Sequence, residues 1–128
     1  MILKTILLVE DDAEDQHLFM EALNTLNLGI QCKTVNNGKE ALNHLNKGLQ
    51  YEIIFVDLNM PLMNGFECLN SLKRNEKYKD IPIILFTSSI NHADVARCQS
   101  LGAEASFHKP NTFSALCLEL HNILISKN

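Results

Sequence analysis

Acidic, hydroxyl and amino side chains follow the short apolar runs of this chain and could together hold a phosphoryl group. They are Glu10, Asp11 and Asp12 after Thr5–Val9, Asp57 after Ile53–Val56, Thr87 after residues 83–86, and Lys109 after Ala105–His108. A lysine ammonium neutralises phosphate oxygens, and a threonine hydroxyl donates to them. A carboxylate can be the nucleophile that takes up a phosphoryl group, and Asp57 is our candidate for that role.

The acidic residues predict a divalent cation if they converge in space. Two like charges about 4 Å apart repel by ~4 kcal/mol at an effective dielectric constant near 20, so converging carboxylates require a proton or a bound cation. Oxygen ligands without His or Cys favour Mg²⁺. Asp11 and Asp12 have a second interpretation as helix-starting acids that complement the macrodipole, and Glu14 and Asp15 are expected to do only that. Asp57 has no such structural role, and burying it unpaired would be costly.

Two periodicities alternate along the chain and predict the elements that position these side chains. Apolar runs rich in Ile, Val, Leu and Phe indicate strands, most of them buried on both faces of a sheet. They are Thr5–Val9, residues 32–35, Ile53–Val56, residues 83–86 and, more weakly, Ala105–His108. Apolar residues with helical spacing follow each run, and Gly102 is expected to end a helix. The pattern predicts five βα units, an α/β parallel sheet with helices on both faces, and ligands at the carboxyl ends of the strands.

Length and composition exclude several classes of function. The 128 residues fit one domain, residues 1–128, and 46% hydrophobic residues is ordinary globular usage. A net charge of −4 without clustered cations argues against a nucleic-acid partner. Apolar runs of about four residues are too short to span a bilayer, and no signal peptide is recognisable, so we expect no membrane association. Four cysteines without a C-x-x-C pair predict reduced thiols in the cytoplasm.

Short stretches spread along the chain together match one family. They are residues 6–12 (ILLVEDD), 37–42 (NGKEAL), 57–65 (DLNMPLMNG), 87–89 (TSS), 101–103 (LGA) and 109–110 (KP). In this order and spacing they resemble the response-regulator receiver domains of two-component signalling, and most of all the freestanding receivers paired with bacterial phytochrome-type kinases. The resemblance implies a doubly wound, flavodoxin-like (βα)5 sandwich whose five-stranded parallel sheet has the order 2-1-3-4-5.

The resemblance also implies the phosphorylation chemistry. Asp57 accepts a phosphoryl group from a phosphohistidine on a sensor histidine kinase or a histidine phosphotransfer protein. Thr87 is the hydroxyl that moves to this group, and Lys109 is the cation that pairs with it. By the same likeness, Asp11 and Asp12 hold Mg²⁺ together with Asp57, Asp12 being the more direct ligand of the two. The fourth metal ligand that the resemblance implies is Asn59, which lends its backbone carbonyl.

The chain departs from the family pattern at the end of its last predicted strand. The family usually has an aromatic residue three positions before the lysine, where Ser106 stands here, and the aromatic is the neighbouring Phe107. Because side chains alternate along a strand, we expect Phe107 to belong to the core and not to a switch. The resemblance further implies a cis peptide bond before Pro110.

The resulting expectation is a response regulator with no activity beyond its own phosphotransfer and autodephosphorylation. Phosphorylation would change a surface on the fourth helix, last strand and last helix for a downstream protein target, and homodimer formation is left open. One alternative is a receiver-like interaction module that is never phosphorylated. The other is a Mg²⁺-dependent aspartyl-phosphate phosphatase of the haloacid-dehalogenase type, but that family has Asp-x-Asp after its first strand. Here Asp57-Leu58-Asn59 follows the third strand.

Overall fold

The computed structural model describes residues 5–58, 64–88 and 92–126, in which five strands alternate with five helices. In chain order these are β1 (Thr5–Val9), α1 (Ala13–Leu26), β2 (Gln31–Val35), α2 (Gly38–Asn46), β3 (Ile53–Val56), α3 (Gly65–Lys73), β4 (Ile83–Thr87), α4 (His92–Ser100), β5 (Ala105–His108) and α5 (Phe113–Ser126). The predicted βα repeat is confirmed. The structure extends β2 by Gln31 and β4 by Thr87, so the candidate hydroxyl is the last residue of its strand.

The five strands form one parallel sheet in the order β2-β1-β3-β4-β5. In register, Val9 of β1 lies beside Val56 of β3, and Val56 lies beside Leu85 of β4. This is the doubly wound, flavodoxin-like arrangement that we expected. The strand order reverses between β1 and β3, where sheets of this type bind their ligands.

The side chains of the sheet alternate between two apolar cores, one on each face. On one face Leu7, Val9, Ile54, Val56 and Leu85 pack with buried residues of α2, α3 and α4. On the other face Ile6, Leu8, Ile53, Phe55, Ile84 and Phe86 pack with buried residues of α1 and α5. Both faces of β3 and β4 are covered, and all of their residues are buried. The uninterrupted apolar runs in the sequence reflect this double coverage.

Phe107 belongs to the core on the α1 and α5 side, as its strand position predicted. Its ring centroid lies 4.9 Å from that of Phe86 and 6.2 Å from that of Phe55, and the latter pair is edge-to-face. Ser106, on the opposite face of β5, is half-buried. Apart from Phe107, the residues of β5 are exposed or half-buried, which explains why its sequence signal is weak.

The ends of several helices are set by residues that the sequence makes recognisable. Side chains of Asp12, Asn37 and Asn64 each accept a hydrogen bond from the backbone of the helix that follows, at α1, α2 and α3. Gly102 follows α4 with φ of 108°, which confirms it as a helix-ending glycine. None of the helices in the described ranges combines the length and the apolar character needed to cross a membrane.

One expectation about the backbone is not met. The described ranges contain no cis peptide bond, so the Lys109–Pro110 bond is trans. Trans is the form that an X-Pro bond favours by about 0.5–1 kcal/mol in the absence of a specific constraint.

Candidate functional site

Three neighbouring strands end in buried polar residues at one edge of the sheet. Glu10 follows β1, Asp57 follows β3 and Thr87 ends β4, and all three are less than 5% exposed. The backbone continues the sheet pairing at two of these positions, because Glu10 N donates to the Val35 carbonyl and Asp57 N donates to the Val9 carbonyl, each at 3.0 Å. These hydrogen bonds fix the backbone at the strand ends, so the side chains of Glu10 and Asp57 lie at the same edge of the sheet.

Three carboxylates meet at this edge. Glu10, Asp11 and Asp57 each offer an oxygen atom, and these atoms all lie within 4.8 Å of one another. Glu10 and Asp57 are buried, whereas Asp11 is exposed. An all-oxygen donor set with one open side fits a hard divalent cation that keeps part of its hydration shell, which describes Mg²⁺ better than zinc.

The position of Asp12 differs from the sequence expectation. Its backbone is extended, with φ of −83° and ψ of 118°, and its Oδ1 accepts from Asp15 N at 3.0 Å at the start of α1. The structure therefore uses its carboxylate as the helix cap. This position at the start of a helix is the second interpretation of Asp12 given above, in which the acid complements the macrodipole. The member of the acidic triplet that turns inward is Glu10, whose Oε2 accepts from Asp12 N at 3.1 Å.

Lys109, which follows the edge strand β5, brings a cation to Glu10 and Asp57. Its Nζ forms ion pairs with Glu10 Oε1, with Asp15 Oδ2 at 2.7 Å and with Asp57 Oδ2 at 3.5 Å. The ammonium also lies 5.2 Å from the centroid of the Phe86 ring. The Lys109 side chain is only 11% exposed, so its charge acts where water screens it weakly.

The pKa values of Glu10 and Lys109 reflect this burial and pairing. Burial raises the pKa of Glu10 to about 7, since it outweighs the opposing effects of the Lys109 ammonium and of the Asp12 backbone amide. Burial lowers the pKa of Lys109, but its hydrogen bonds to Asp15 and Glu10 and the charge of Asp57 outweigh that effect. The pKa of Lys109 therefore lies above its usual value, and the residue is a permanent cation at neutral pH.

The ends of β4 and β5 are tied together beside the site. Lys109 N donates to the Thr87 carbonyl at 2.7 Å, and the His108 ring Nε2 lies 2.9 Å from the Ser88 carbonyl oxygen. The sequence analysis assigns Thr87 and Lys109 to the ends of two separate strands. The hydrogen bond between their backbones fixes the position of one relative to the other. His108 lies beside Thr87 in the sheet register.

A close backbone approach requires the glycine that begins α3. Gly65 N donates to the Leu58 carbonyl at 3.0 Å. A Cβ atom on Gly65 would lie 2.5 Å from the Asp57 carbonyl oxygen and 2.6 Å from Leu58 Cα, which is closer than real side chains come. Only glycine allows α3 to begin this near to Asp57.

The structure brings together most of the residues that the sequence proposed, and it adds two. Asp11, Asp57 and Lys109 are within one cluster, and Thr87 adjoins it through Lys109. Asn59 lies outside the described residues. The two added residues are Glu10 and Asp15. The sequence analysis names Glu10 as an acid at a strand end but not as an implied metal ligand, and it expects Asp15 only to interact favourably with the helix dipole. The spacing of Asp15, one helical turn after the acidic triplet, was the available signal for its inward position.

The chain is similar to known proteins both in sequence and in fold. Residues 6–121 match the family described as the response regulator receiver domain. The chain is 36% identical over 98 residues to the response regulator Rcp1 of Synechocystis, covering 72% of this chain and 67% of that protein. Among solved structures, the phosphorylated cyanobacterial phytochrome response regulator RcpA superposes with a TM-score of 0.87 at 30% identity, over 94% of this chain and 91% of that one. The Mn²⁺-bound form of Rcp1 superposes with a TM-score of 0.84 at 29% identity and the same coverage. The chain belongs to the family of response regulator receiver domains.

Proposed function

We propose that this receiver domain accepts a phosphoryl group on Asp57 from a phosphohistidine of a sensor histidine kinase or a histidine phosphotransfer protein. The observation that carries the proposal is the setting of Asp57: a buried carboxylate at the end of a central strand, beside two further acids and 3.5 Å from a lysine ammonium. Such a carboxylate is a fixed nucleophile with neutralising charge next to it. The likeness to a regulator solved in its phosphorylated form supports the same reaction.

The proposed cofactor is Mg²⁺, held by carboxylate oxygens of Glu10, Asp11 and Asp57. Glu10 replaces Asp12 in this ligand set because Asp12 caps α1. The backbone carbonyl of Asn59, carried over from the family resemblance, completes the proposed set. When bound, Mg²⁺ neutralises the charge of phosphoryl oxygens. The likeness to Rcp1, which was solved in a Mn²⁺-bound form, supports a divalent cation as the cofactor.

The proposed transfer is a displacement at phosphorus. A carboxylate oxygen of Asp57 forms the new P–O bond while the N–P bond of the phosphohistidine breaks, and the imidazole keeps the electron pair and takes up a proton. Lys109 contacts the transferred oxygens, and the Thr87 hydroxyl donates to one of them. Hydrolysis of the resulting acyl phosphate by water returns Asp57 to its carboxylate, and no further enzymatic activity is part of the proposal.

The proposed output is a change in a protein-binding surface. A phosphoryl group adds up to about two negative charges beside Thr87 and Lys109, which bond to each other through their backbones. Because Phe107 is fixed in the core, the change passes through Thr87 and the backbone that follows it. The surface comprises α4, β5 and α5, and its partner is a downstream protein or a second copy of this chain. A cytoplasmic location is part of the proposal, supported by four cysteines whose thiols are free.

The test is phosphorylation of the Asp57→Asn variant by labelled acetyl phosphate in Mg²⁺. We expect the natural chain to take up one acid-stable, base-labile label and the variant none. The matched control is Asp80→Asn, an exposed acid in the loop before β4, which should label normally. Label on Asp57→Asn would contradict the acceptor assignment.

The same experiment separates the two alternatives. Failure of the natural chain to label, together with poor Mg²⁺ binding by titration calorimetry, would favour the interaction module. Turnover of small phosphate esters at about ten per second would favour the phosphatase.

A further inference from the structure

Asp15 holds the lysine ammonium that the proposed phosphoryl group needs. Its Oδ2 lies 2.7 Å from Lys109 Nζ, whereas the Asp57 Oδ2 atom lies 3.5 Å from the same nitrogen. Asp15 is in the first turn of α1, and Lys109 follows β5, so their contact spans the site from one side to the other. The function proposed above gives Asp15 no role.

The ammonium has three N–H donors, and the acids around it compete for them. Glu10 and Asp15 accept at hydrogen-bonding distance, while Asp57 is an ion-pair partner at longer range. A phosphoryl group on Asp57 has three strongly accepting oxygens, so it competes with both acids for the donors and the charge of this ammonium. Glu10 is fully buried, so water cannot take the place of the ammonium at its carboxyl group.

Asp15 is the acid that can release Lys109 at low cost. Its side chain is 34% exposed, so water can replace the ammonium at its carboxylate. Partly exposed ion pairs contribute little to stability for the same reason. The negative charge of Asp15 also lowers the affinity of the site for an anionic group, because the carboxylate repels that group directly.

We propose that Asp15 competes with the phosphoryl group for Lys109 and thereby lowers the affinity of the site for that group. This inference rests on the proposed phosphorylation of Asp57 and adds a residue that tunes it. Asp15 is a positioning residue: it acts through Lys109 and does not touch the phosphoryl group. A chain without this carboxylate would hold the phosphoryl group more tightly.

The test is a titration with beryllium fluoride, a phosphoryl mimic, in saturating Mg²⁺, followed by amide chemical shifts in NMR spectra. For Asp15→Asn we expect half-saturation at a concentration about three- to fivefold lower than for the natural chain. The matched control is Glu14→Gln, which removes an exposed acid from the same helical turn and should change this concentration less than twofold. Asp15→Glu keeps a carboxylate and should restore binding close to the natural value.

A second readout separates competition from a general structural effect. Mg²⁺ affinity without beryllium fluoride should not increase in Asp15→Asn, because the competition concerns the anion. Unchanged or weaker beryllium fluoride binding by Asp15→Asn would overturn the inference, as would equal tightening in Glu14→Gln. If the natural chain itself binds no beryllium fluoride and takes no label on Asp57, the proposed function fails and the inference fails with it. If the natural chain binds and labels but Asp15→Asn behaves identically, only the inference is wrong.

Discussion

Lys109 Nζ and Asp57 Oδ2 lie 3.5 Å apart, within the range of an ion pair but longer than a typical N–H···O hydrogen bond. The same ammonium contacts Glu10 and Asp15 more closely. One cation thus serves three carboxylates, and the metal-free site carries an excess of negative charge. This imbalance determines how the site responds when a charge is removed or supplied.

Lys109→Gln should destabilise the metal-free protein and make it more dependent on Mg²⁺. The change leaves the buried Glu10 and Asp57 without their ammonium, so we expect the free energy of unfolding in EDTA to fall by about 1–3 kcal/mol. Mg²⁺ should recover part of this loss, since it supplies positive charge at the same place. Urea unfolding with and without Mg²⁺ measures both effects.

The control for this prediction is Lys33→Gln, an exposed residue of the edge strand β2. Its effect should stay within about 0.5 kcal/mol in either condition. Equal unfolding curves for Lys109→Gln and the natural chain in EDTA would contradict the assigned role of the ammonium.

Asp11→Asn and Asp12→Asn should differ in Mg²⁺ affinity. Asp11 belongs to the acidic cluster, so loss of its charge should weaken Mg²⁺ binding by roughly tenfold or more. Asp12 caps α1, and asparagine is an equally good cap, so Asp12→Asn should keep Mg²⁺ affinity within about threefold and leave stability nearly unchanged. Titration calorimetry on both variants gives the comparison, and the reverse order would restore Asp12 as the metal ligand.

Gly65→Ala should disturb the site through the backbone of Asp57. The added methyl group would meet the Asp57 carbonyl oxygen at 2.5 Å, so α3 or the end of β3 must shift. We expect a loss of about 1–3 kcal/mol in the free energy of unfolding together with weaker Mg²⁺ binding. Gly29→Ala is a useful comparison: its φ is +73° and nothing lies within 4 Å of the added atom. It should cost about 1–2 kcal/mol from backbone strain alone and leave Mg²⁺ affinity intact.

The buried thiols should react slowly until the pH is high or the fold is lost. Burial raises the pKa of Cys68 to about 12 and that of Cys98 to about 11. Because only the thiolate reacts, roughly one thiol in a thousand or fewer is reactive at pH 8 in the native state, against roughly a quarter of unfolded thiols. Alkylation by iodoacetamide, mapped by mass spectrometry, should therefore be at least about 100-fold slower at both residues in native protein than in urea. Native labelling of Cys68 at the unfolded rate would show that its burial is wrong.

The fold was predictable because its central strands are covered on both faces. Residues such as Leu7 and Ile54 alternate with Leu8 and Phe55 into two different cores, so every position in β1 and β3 can be apolar. β5 gave a weak signal because Phe107 is its one buried residue. The assignment of Phe107 to the core followed from alternation along the strand and is confirmed.

Sequence analysis could predict the site residues whose positions follow from the ends of the strands. It could not predict as well those whose positions depend on local backbone geometry. Asp57, Thr87 and Lys109 follow directly from parallel strands whose carboxyl ends share an edge. Which acids of the run Glu10-Asp11-Asp12 turn inward depends on where the chain leaves β1 and where α1 begins. Because three neighbouring residues are all acidic, the sequence does not show which of them occupies the inward position. The inward position of Asp15 likewise depends on how α1 packs on the sheet, a tertiary relationship that helical spacing alone does not fix.

The ion pair between Lys109 and Glu10 joins residues 99 positions apart, one after the first strand and one after the last. During synthesis, therefore, the acidic triplet leaves the ribosome long before its lysine does. Until β5 docks at the sheet edge, the incomplete chain has carboxylates with no ammonium to balance them. The charge of the candidate site is thus balanced only once the last strand has joined the sheet and brought Lys109 beside Glu10.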